Sequence, residues 1–403
     1  MSVTADDVAA ARERTADVVR PTPVLPSATL SERLGAEVAL KAENLQRTGS
    51  FKVRGAANKV SRLGEACAAG VVTGSAGNHA QALAHAAQAR GVPCEVFMPA
   101  GAPLSKVEGA EALGARVILG GETVHDCLAA AAERADAAGM TVVHPYDDPD
   151  VIAGQGTLGL ELLEAVPDLA KVVVPVGGGG LVSGLAIAVK SARPEVEVVG
   201  VQVESCAAFA DSLRGAEVVE APRPLTIADG IAVKRPGRVT LALAREWLDG
   251  VVTVAEDEIA EAMVLLLEKA KQVVEGAGAV GVAALMFEHT PPAASGTTVA
   301  ILSGGNVDAG LLAEVARRHE TGVGRRLLLQ SRIGDRPGSL ARLLSVVGDQ
   351  AANLIEVQHV REGLDLHVRE TAVQLVLETR GREHAEAVLE AIRAAGYEAR
   401  VLR

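Results

Sequence analysis

Lys52 stands in the run Ser50-Phe51-Lys52-Val53-Arg54-Gly55-Ala56, between a bulky aromatic and a tight, small-residue turn. Burial or nearby positive potential lowers a lysine's pKa and frees the neutral amine, which condenses with a carbonyl to give an imine. The run from Val53 to Arg62 reads as helical, so Lys52 falls at a helix start, where the positive end of the dipole disfavours the ammonium form. The heptapeptide alone is better explained as an ordinary loop lysine following Thr48-Gly49-Ser50. The case for chemistry depends on three distant loops.

The first is Gly177-Gly178-Gly179-Gly180, after a valine-rich strand and before the helical run Leu181 to Ser191. Four glycines let backbone N–H groups converge on an anion with a helix start behind them, and phosphate is the natural guest. A close-packed turn is the competing explanation, and it leaves the backbone entropy given up by four glycines unexplained. No Gly-Lys-Ser/Thr follows, and the spacing departs from the dinucleotide fingerprint. The second loop, Thr73-Gly74-Ser75-Ala76-Gly77-Asn78-His79, offers a hydroxyl and an amide where a helix begins, suited to a carboxylate. Taken alone, Ser75 or Asn78 is better read as a helix cap. The third, Ser303-Gly304-Gly305-Asn306, closes the last strand of its series with a neutral hydroxyl able to hydrogen-bond a ring nitrogen without protonating it. An imine-forming lysine, a phosphate cradle, an amide-bearing anion loop and a neutral hydroxyl together describe a site for pyridoxal phosphate.

The elements that must position these groups alternate in type. Strand patterns at 70–73, 92–98, 116–119 and 141–143 are separated by helical patterns at 78–90, 103–113 and 124–138. A second series comprises strands at 172–176, 198–203 and 298–302. Such alternation is the sequence form of β-α-β units around parallel sheets. Near residue 320 the text turns polar, and the remainder reads as strand 325–333, helix 337–348, strands 353–361 and 370–378, helix 382–395 and strand 397–402. That βαββαβ order predicts an antiparallel, ferredoxin-like domain. The expected organisation is a domain over 1–320, with a smaller subdomain near 55–145 inserted, followed by a domain over 321–403.

Composition narrows the class. A chain of 403 residues is long for one core, and its net charge of -12 with 2% aromatics argues against nucleic-acid partners. No apolar run approaches the roughly 18 residues a membrane helix needs. The start Met1-Ser2-Val3-Thr4-Ala5-Asp6-Asp7 has neither basic head nor apolar core, so cytoplasm is the expected location. Cys67, Cys94, Cys127 and Cys206 lie far apart, as reduced structural thiols do.

With those motifs in order, and with Gly154-Gln155-Gly156-Thr157 and Thr226-Ile227-Ala228-Asp229-Gly230 between them, the chain resembles the threonine dehydratases (threonine ammonia-lyases) of the fold-type II pyridoxal-phosphate enzymes, with a C-terminal ACT-like domain. The resemblance implies an α/β fold of two doubly wound subdomains plus the ferredoxin-like domain. It implies that Lys52 holds the cofactor as an imine and acts as base, that Phe51 packs on the ring, that Asn78 bonds the ring's phenolic oxygen, that Gly177, Gly178, Gly179 and Gly180 bind the phosphate, and that Ser303 faces the ring nitrogen. Ser75, Ala76, Gly77 and His79 then form the loop for the substrate carboxylate. The implied reaction is dehydration and deamination of L-threonine to 2-oxobutyrate and ammonia, with serine giving pyruvate, as in isoleucine biosynthesis.

Serine racemases share nearly all these motifs, but in that resemblance the residue after Ser75 is a second serine that protonates the opposite face. Here it is Ala76, which exchanges no proton, so dehydration is preferred and a racemase or serine dehydratase is the alternative. A family cation site resembles Glu204, yet its aspartate partner is displaced to Asp211, and solvated surface charges explain both residues equally well. Glu275 matches a family glutamate near the cofactor, and helix capping at a glycine turn is the safer reading. The ACT resemblance rests on Asp335-Arg336-Pro337-Gly338-Ser339-Leu340 and Asn353, implying an amino-acid effector and a homo-oligomer, dimer or tetramer. A single copy, where biosynthetic relatives carry a doubled region, weakens the expectation of isoleucine feedback. A non-catalytic amino-acid sensor is the rival from another class, and retention of Lys52 argues against it.

Overall fold

The computed structural model describes residues 3–215, 218–221, 225–361 and 366–402. They form two compact units, Met1–Asp308 and Ala309–Arg403. The helix Ala309–Gly322 belongs to the second unit, so this division falls ahead of the change in sequence character near residue 320.

The first unit holds two sheets. The larger runs in the order Val24–Pro26, Val38–Ala42, Thr297–Leu302, Leu169–Pro175, Glu197–Val203 and Gly250–Val254; only the first pair is antiparallel. Its inner strands are buried on both faces, which is why they read as continuous valine runs rather than alternating patterns. Three members are absent from the sequence reading. Val24–Pro26 is a proline-ended edge pairing, and Val38–Ala42 hides Lys41 inside a fully buried strand. Gly250–Val254 is a half-buried edge strand. The helices Pro149–Ala165 and Gly180–Ala192 pack closely because Gly156 and Gly184 meet there: a Cβ on Gly184 would lie 2.2 Å from the Ile152 carbonyl oxygen. The smaller sheet is wholly parallel, in the order Arg116–Leu119, Cys94–Met98, Val71–Gly74 and Thr141–Val142. The loops at residues 75–77, 177–179 and 303–306 all leave the carboxyl ends of parallel strands, where open α/β sheets bind ligands.

Behind the helix Lys52–Leu63 lies a closed cluster of charges. Arg54, 1% exposed, donates to Glu43 at 2.7 and 2.8 Å and to Glu161 at 2.7 and 3.0 Å. Lys41, equally buried, donates to Glu161 at 2.5 Å and to the Thr22 carbonyl at 2.7 Å. Burial works against the charge on Glu161, yet Arg54 and Lys41 hold it below the usual carboxylate range. Two cations and two anions thus tie the helix bearing Lys52 to the strand Val38–Ala42 and the helix Pro149–Ala165.

The second unit has an antiparallel sheet in the order Asn353–Val360, Glu370–Glu378, Arg326–Gly334 and Ala399–Val401, with helices Ser339–Asp349 and Arg382–Ala394. Element order and strand order are ferredoxin-like. Its core combines Leu329, Ile333, Val373 and Leu375 of the sheet with Leu343, Val347, Val388 and Ile392 of the helices. The turn before Ser339 contains Gly338 at φ +84, and Asp335 beside it is paired with Arg361 at 3.1 Å. Asn353 donates to Glu378 at 3.1 Å. Among the described residues no helix is long and apolar enough to cross a membrane, and all four cysteines are buried and free.

Candidate active site

Lys52, Phe51, Asn78, Gly177 to Gly180 and Ser303 line one cavity with about 520 Å³ of empty space, its open mouth included. Their convergence has local causes. The Phe51 N–H donates to the Ser303 carbonyl at 3.0 Å, and Ser50 bridges to Gly304, so the start of the Lys52 helix is sewn to the end of the strand Thr297–Leu302. Gly49 makes that seam possible at φ +72, since a Cβ there would lie 2.3 Å from the Asn306 side-chain oxygen.

Lys52 is the first residue of its helix. Its amine has one hydrogen bond, a 3.3 Å contact to the Pro145 carbonyl, and lies 5.2 Å from the Phe51 ring centre. The side chain is not sealed from the cavity, yet its amine is enclosed by enough protein that burial pushes its pKa down to about 8, against the opposing pull of Glu275. An amine in that range supplies the neutral form near physiological pH.

Asn78 does not cap its helix; it is the first helical residue, after Gly77. Its amide donates to Glu275 at 2.7 Å and accepts from Asn306 at 2.8 Å, and Asn306 also donates to the Thr48 carbonyl at 2.9 Å. Both orientations of the Asn78 amide are thereby fixed, and one of its two N–H bonds remains for a ligand. The same network corrects the capping reading of Glu275. Glu275 occupies the N-cap position of the helix Gly276–Met286, but its side chain makes no cap hydrogen bond and lines the cavity instead. Burial, then Asp229, push its carboxyl up to about 7, opposed by Asn78, Lys106 and Lys52.

Across the cavity the helix Gly180–Ala192 opens with its first-turn N–H groups unpaired within the helix, as every helix start must. The glycines before it are required by their neighbours. A Cβ on Gly178 would lie 2.3 Å from the Tyr146 ring, and Gly179 adopts φ +92 against Phe209. Ser303 is 3% exposed, and its hydroxyl has only a long 3.5 Å contact to the Ala277 carbonyl. Tyr146 and Gln155 also line the cavity and carry no assignment in the sequence reading. Gln155 belongs to the motif Gly154–Thr157 and accepts the Gly55 N–H at 3.2 Å, joining two matched motifs. Tyr146 lay outside every motif.

The second loop is only partly as expected. Ser75 accepts the Gly77 N–H at 3.3 Å, and Ala76 and Gly77 are half-buried beside Asn78. None of Ser75, Ala76, Gly77 and His79 belongs to the cavity lining. His79 turns its ring inward, with Nε2 3.0 Å from the Val143 carbonyl. Burial, then Lys52, lower its pKa to about 3, so the ring is neutral, and any carboxylate at this loop must be met by backbone N–H groups and Ser75. Glu204 is exposed and Asp211 pairs with Arg214 at 3.2 Å. Among the described residues no three histidine, cysteine or acidic side chains cluster as metal ligands do.

The sequence pattern of the family described as pyridoxal-phosphate dependent enzymes matches residues 15–304. The chain belongs to that family. Its α/β architecture is that of the fold-type II pyridoxal-phosphate enzymes. The chain is 44% identical to the L-threonine ammonia-lyase of Thermotoga maritima over 402 residues, 99% of this chain and 100% of that protein. It is 43% identical to the catabolic L-threonine dehydratase of Escherichia coli K12 over 317 residues, 78% of this chain and 96% of that one. The solved structure of maize serine racemase superposes with a TM-score of 0.75 at 34% identity, over 80% of this chain and 99% of that chain.

The residues present suit the family's cofactor. The glycine run is a backbone cradle that side chains would fill, and the Lys52 amine and the Ser303 hydroxyl are buried with a single weak partner each. The electrostatics of this pocket are open to test without chemistry on a substrate. Glu275→Gln keeps an acceptor for Asn78 and removes only the charge. In the cofactor-free protein, the midpoint for acetylation of Lys52 by acetic anhydride is expected to fall below about 8, since the carboxylate that favours the ammonium is gone. The two proteins should differ above pH 7 and converge below it, where Glu275 takes up its own proton. An unchanged midpoint would show that Glu275 does not act on Lys52.

Proposed function

We propose that this enzyme is an L-threonine ammonia-lyase, releasing 2-oxobutyrate and ammonia from L-threonine and pyruvate and ammonia from L-serine. The observation that carries the reading is one cavity in which a lysine of depressed pKa faces four glycines at a helix start. A relative of matching length from Thermotoga maritima, named for that activity, supports it.

Lys52 would hold the cofactor covalently, Gly177 to Gly180 its phosphate, Asn78 its phenolic oxygen and Ser303 its ring nitrogen, with Phe51 against the ring. When bound, pyridoxal phosphate supplies a conjugated ring that takes up the electrons left as the substrate α-proton departs. Lys52, as a free amine, would be the base for that proton, and its pKa of about 8 would let it take and return protons near neutrality. The Pro145 carbonyl, 3.3 Å away, holds the resulting ammonium. The Ser303 hydroxyl, far too weak an acid to protonate a pyridine nitrogen, would hydrogen-bond it without adding a positive charge to the ring. The loop at residues 75–79 would receive the substrate carboxylate. The second unit would be an ACT-like regulatory domain whose turn Asp335–Leu340 takes an amino-acid effector, in a homo-oligomer.

A serine racemase is the second reading, favoured by the superposition on the maize enzyme. Ala76 stands against it, since a methyl group cannot deliver a proton to the opposite face. Incubation with L-serine separates the two. Pyruvate should accumulate with little D-serine; abundant D-serine with little pyruvate would overturn the lyase assignment. With L-threonine, 2-oxobutyrate and ammonia should appear in equal amounts, and their absence from cofactor-loaded protein would refute the proposed substrate.

A further inference from the structure

Four consecutive residues, linking the small sheet to the helix Pro149–Ala165, each reach a different part of the structure. The Pro145 carbonyl accepts from Lys52, and the Tyr146 ring lies against Gly178. The Asp147 carboxylate accepts the backbone N–H groups of Arg238, Val239 and Thr240 at 3.0, 2.8 and 3.2 Å. Asp148 caps the helix Pro149–Ala165 through the N–H groups of Asp150 and Val151 at 2.8 and 3.2 Å. Asp147 is the member whose task is unexplained, because it is spent entirely on the start of the helix Arg238–Trp247, outside the cavity.

That helix carries Thr240, whose side chain is fully buried. Its hydroxyl donates to the Gly178 carbonyl at 2.6 Å, with the Gly237 carbonyl a longer alternative at 3.2 Å. A trans peptide is planar, so holding the Gly178 carbonyl on one side directs the Gly179 N–H to the other. Glycine at φ +92 has little steric preference of its own to keep that plane in place. The fit is close as well, because a Cβ on Gly179 would lie 2.9 Å from Thr240 Cβ, and one on Gly237 would lie 2.4 Å from an Asp147 oxygen.

We infer that Asp147 and Thr240 are positioning residues for the glycine run: Asp147 fixes the first turn of the helix Arg238–Trp247, and Thr240 on that turn fixes the Gly178 peptide for phosphate binding. This rests on the reading of Gly177 to Gly180 as the phosphate loop.

The test compares the affinity of the cofactor-stripped full-length protein for pyridoxal phosphate and for pyridoxal, which lacks the phosphate. The unaltered protein should bind pyridoxal phosphate far more tightly; equal affinities would refute the phosphate-loop reading itself. Thr240→Val, which keeps the shape and removes the hydroxyl, should weaken pyridoxal phosphate binding about tenfold and leave pyridoxal within twofold, the loss expected for one buried hydrogen bond. Thr240→Ser should restore the preference. A Thr240→Val protein with an unchanged ratio of the two affinities, whether or not its melting temperature falls, would overturn the positioning role while leaving the loop reading intact. If that variant does not fold, Asp147→Ala, which removes the acceptor for all three N–H groups, gives the same comparison, and an unchanged ratio there overturns the proposal too.

Discussion

Lys52→Ala is expected to abolish 2-oxobutyrate release, with a fall of about a thousandfold or more, the combined cost of losing a covalent anchor and a base. Lys52 is the sole amine lining the cavity among the described residues, so no neighbour can replace it. Lys52→Arg should fail as completely, since a guanidinium stays charged at all working pH values. Stability should respond in a different sense. The amine's pKa of about 8 in the folded chain lies below its ordinary 10.5, so the unfolded chain binds more protons between those values. The stability of the cofactor-free protein therefore rises as pH increases through that window, and the charge on Lys52 costs stability below pH 8. Lys52→Ala removes that dependence. Urea unfolding of both proteins at pH 7 and pH 10 checks this: the unaltered protein should gain relative to the variant at the higher pH. Full ketoacid release by Lys52→Ala would remove the catalytic assignment, and a pH-independent stability difference would remove the burial argument.

The chemistry-bearing loops were legible in the sequence because each combines an unusual residue run with a strand-to-helix corner, and the strands around them follow the β-α-β alternation. Lys52 at a helix start and the ferredoxin-like order of the last eighty or so residues both follow from local patterns that packing does not override. The remaining features depend on long-range geometry. Val38–Ala42 looks too polar for a buried strand until Glu161, far along the chain, is seen to neutralise Lys41. Glu275 sits where a cap belongs, and only the approach of Asn78, at the start of a distant helix, shows its carboxylate facing the cavity. His79 shares a motif with Asn78, but the register of the helix turns its ring toward Val143. Tyr146 belongs to no glycine motif, and its role comes from the missing side chain on Gly178. Sequence spacing therefore identified which loops meet, and folding determined which atoms of those loops face the cavity.

Arg54→Met is expected to cost about 3–5 kcal/mol, the usual price of removing one partner from a buried ion cluster. Arg54 is flanked by Glu43 and Glu161, and Glu43 has no exposed surface. With the guanidinium gone, two carboxylates share the single cation Lys41, which pairs with Glu161. Glu43 then keeps only the Thr22 hydroxyl as a side-chain partner and is left a buried carboxylate without its cation. Arg54→Met combined with Glu43→Gln should recover part of the loss, a coupling that a double-mutant cycle in urea measures. A loss unrelieved by Glu43→Gln would mean that Arg54 matters through packing alone. Because Arg54 lies on the first turn of the helix that begins at Lys52, donating its N–H to the Phe51 carbonyl at 3.0 Å, the same cluster that charges the core also fixes the direction from which the lysine enters the cavity.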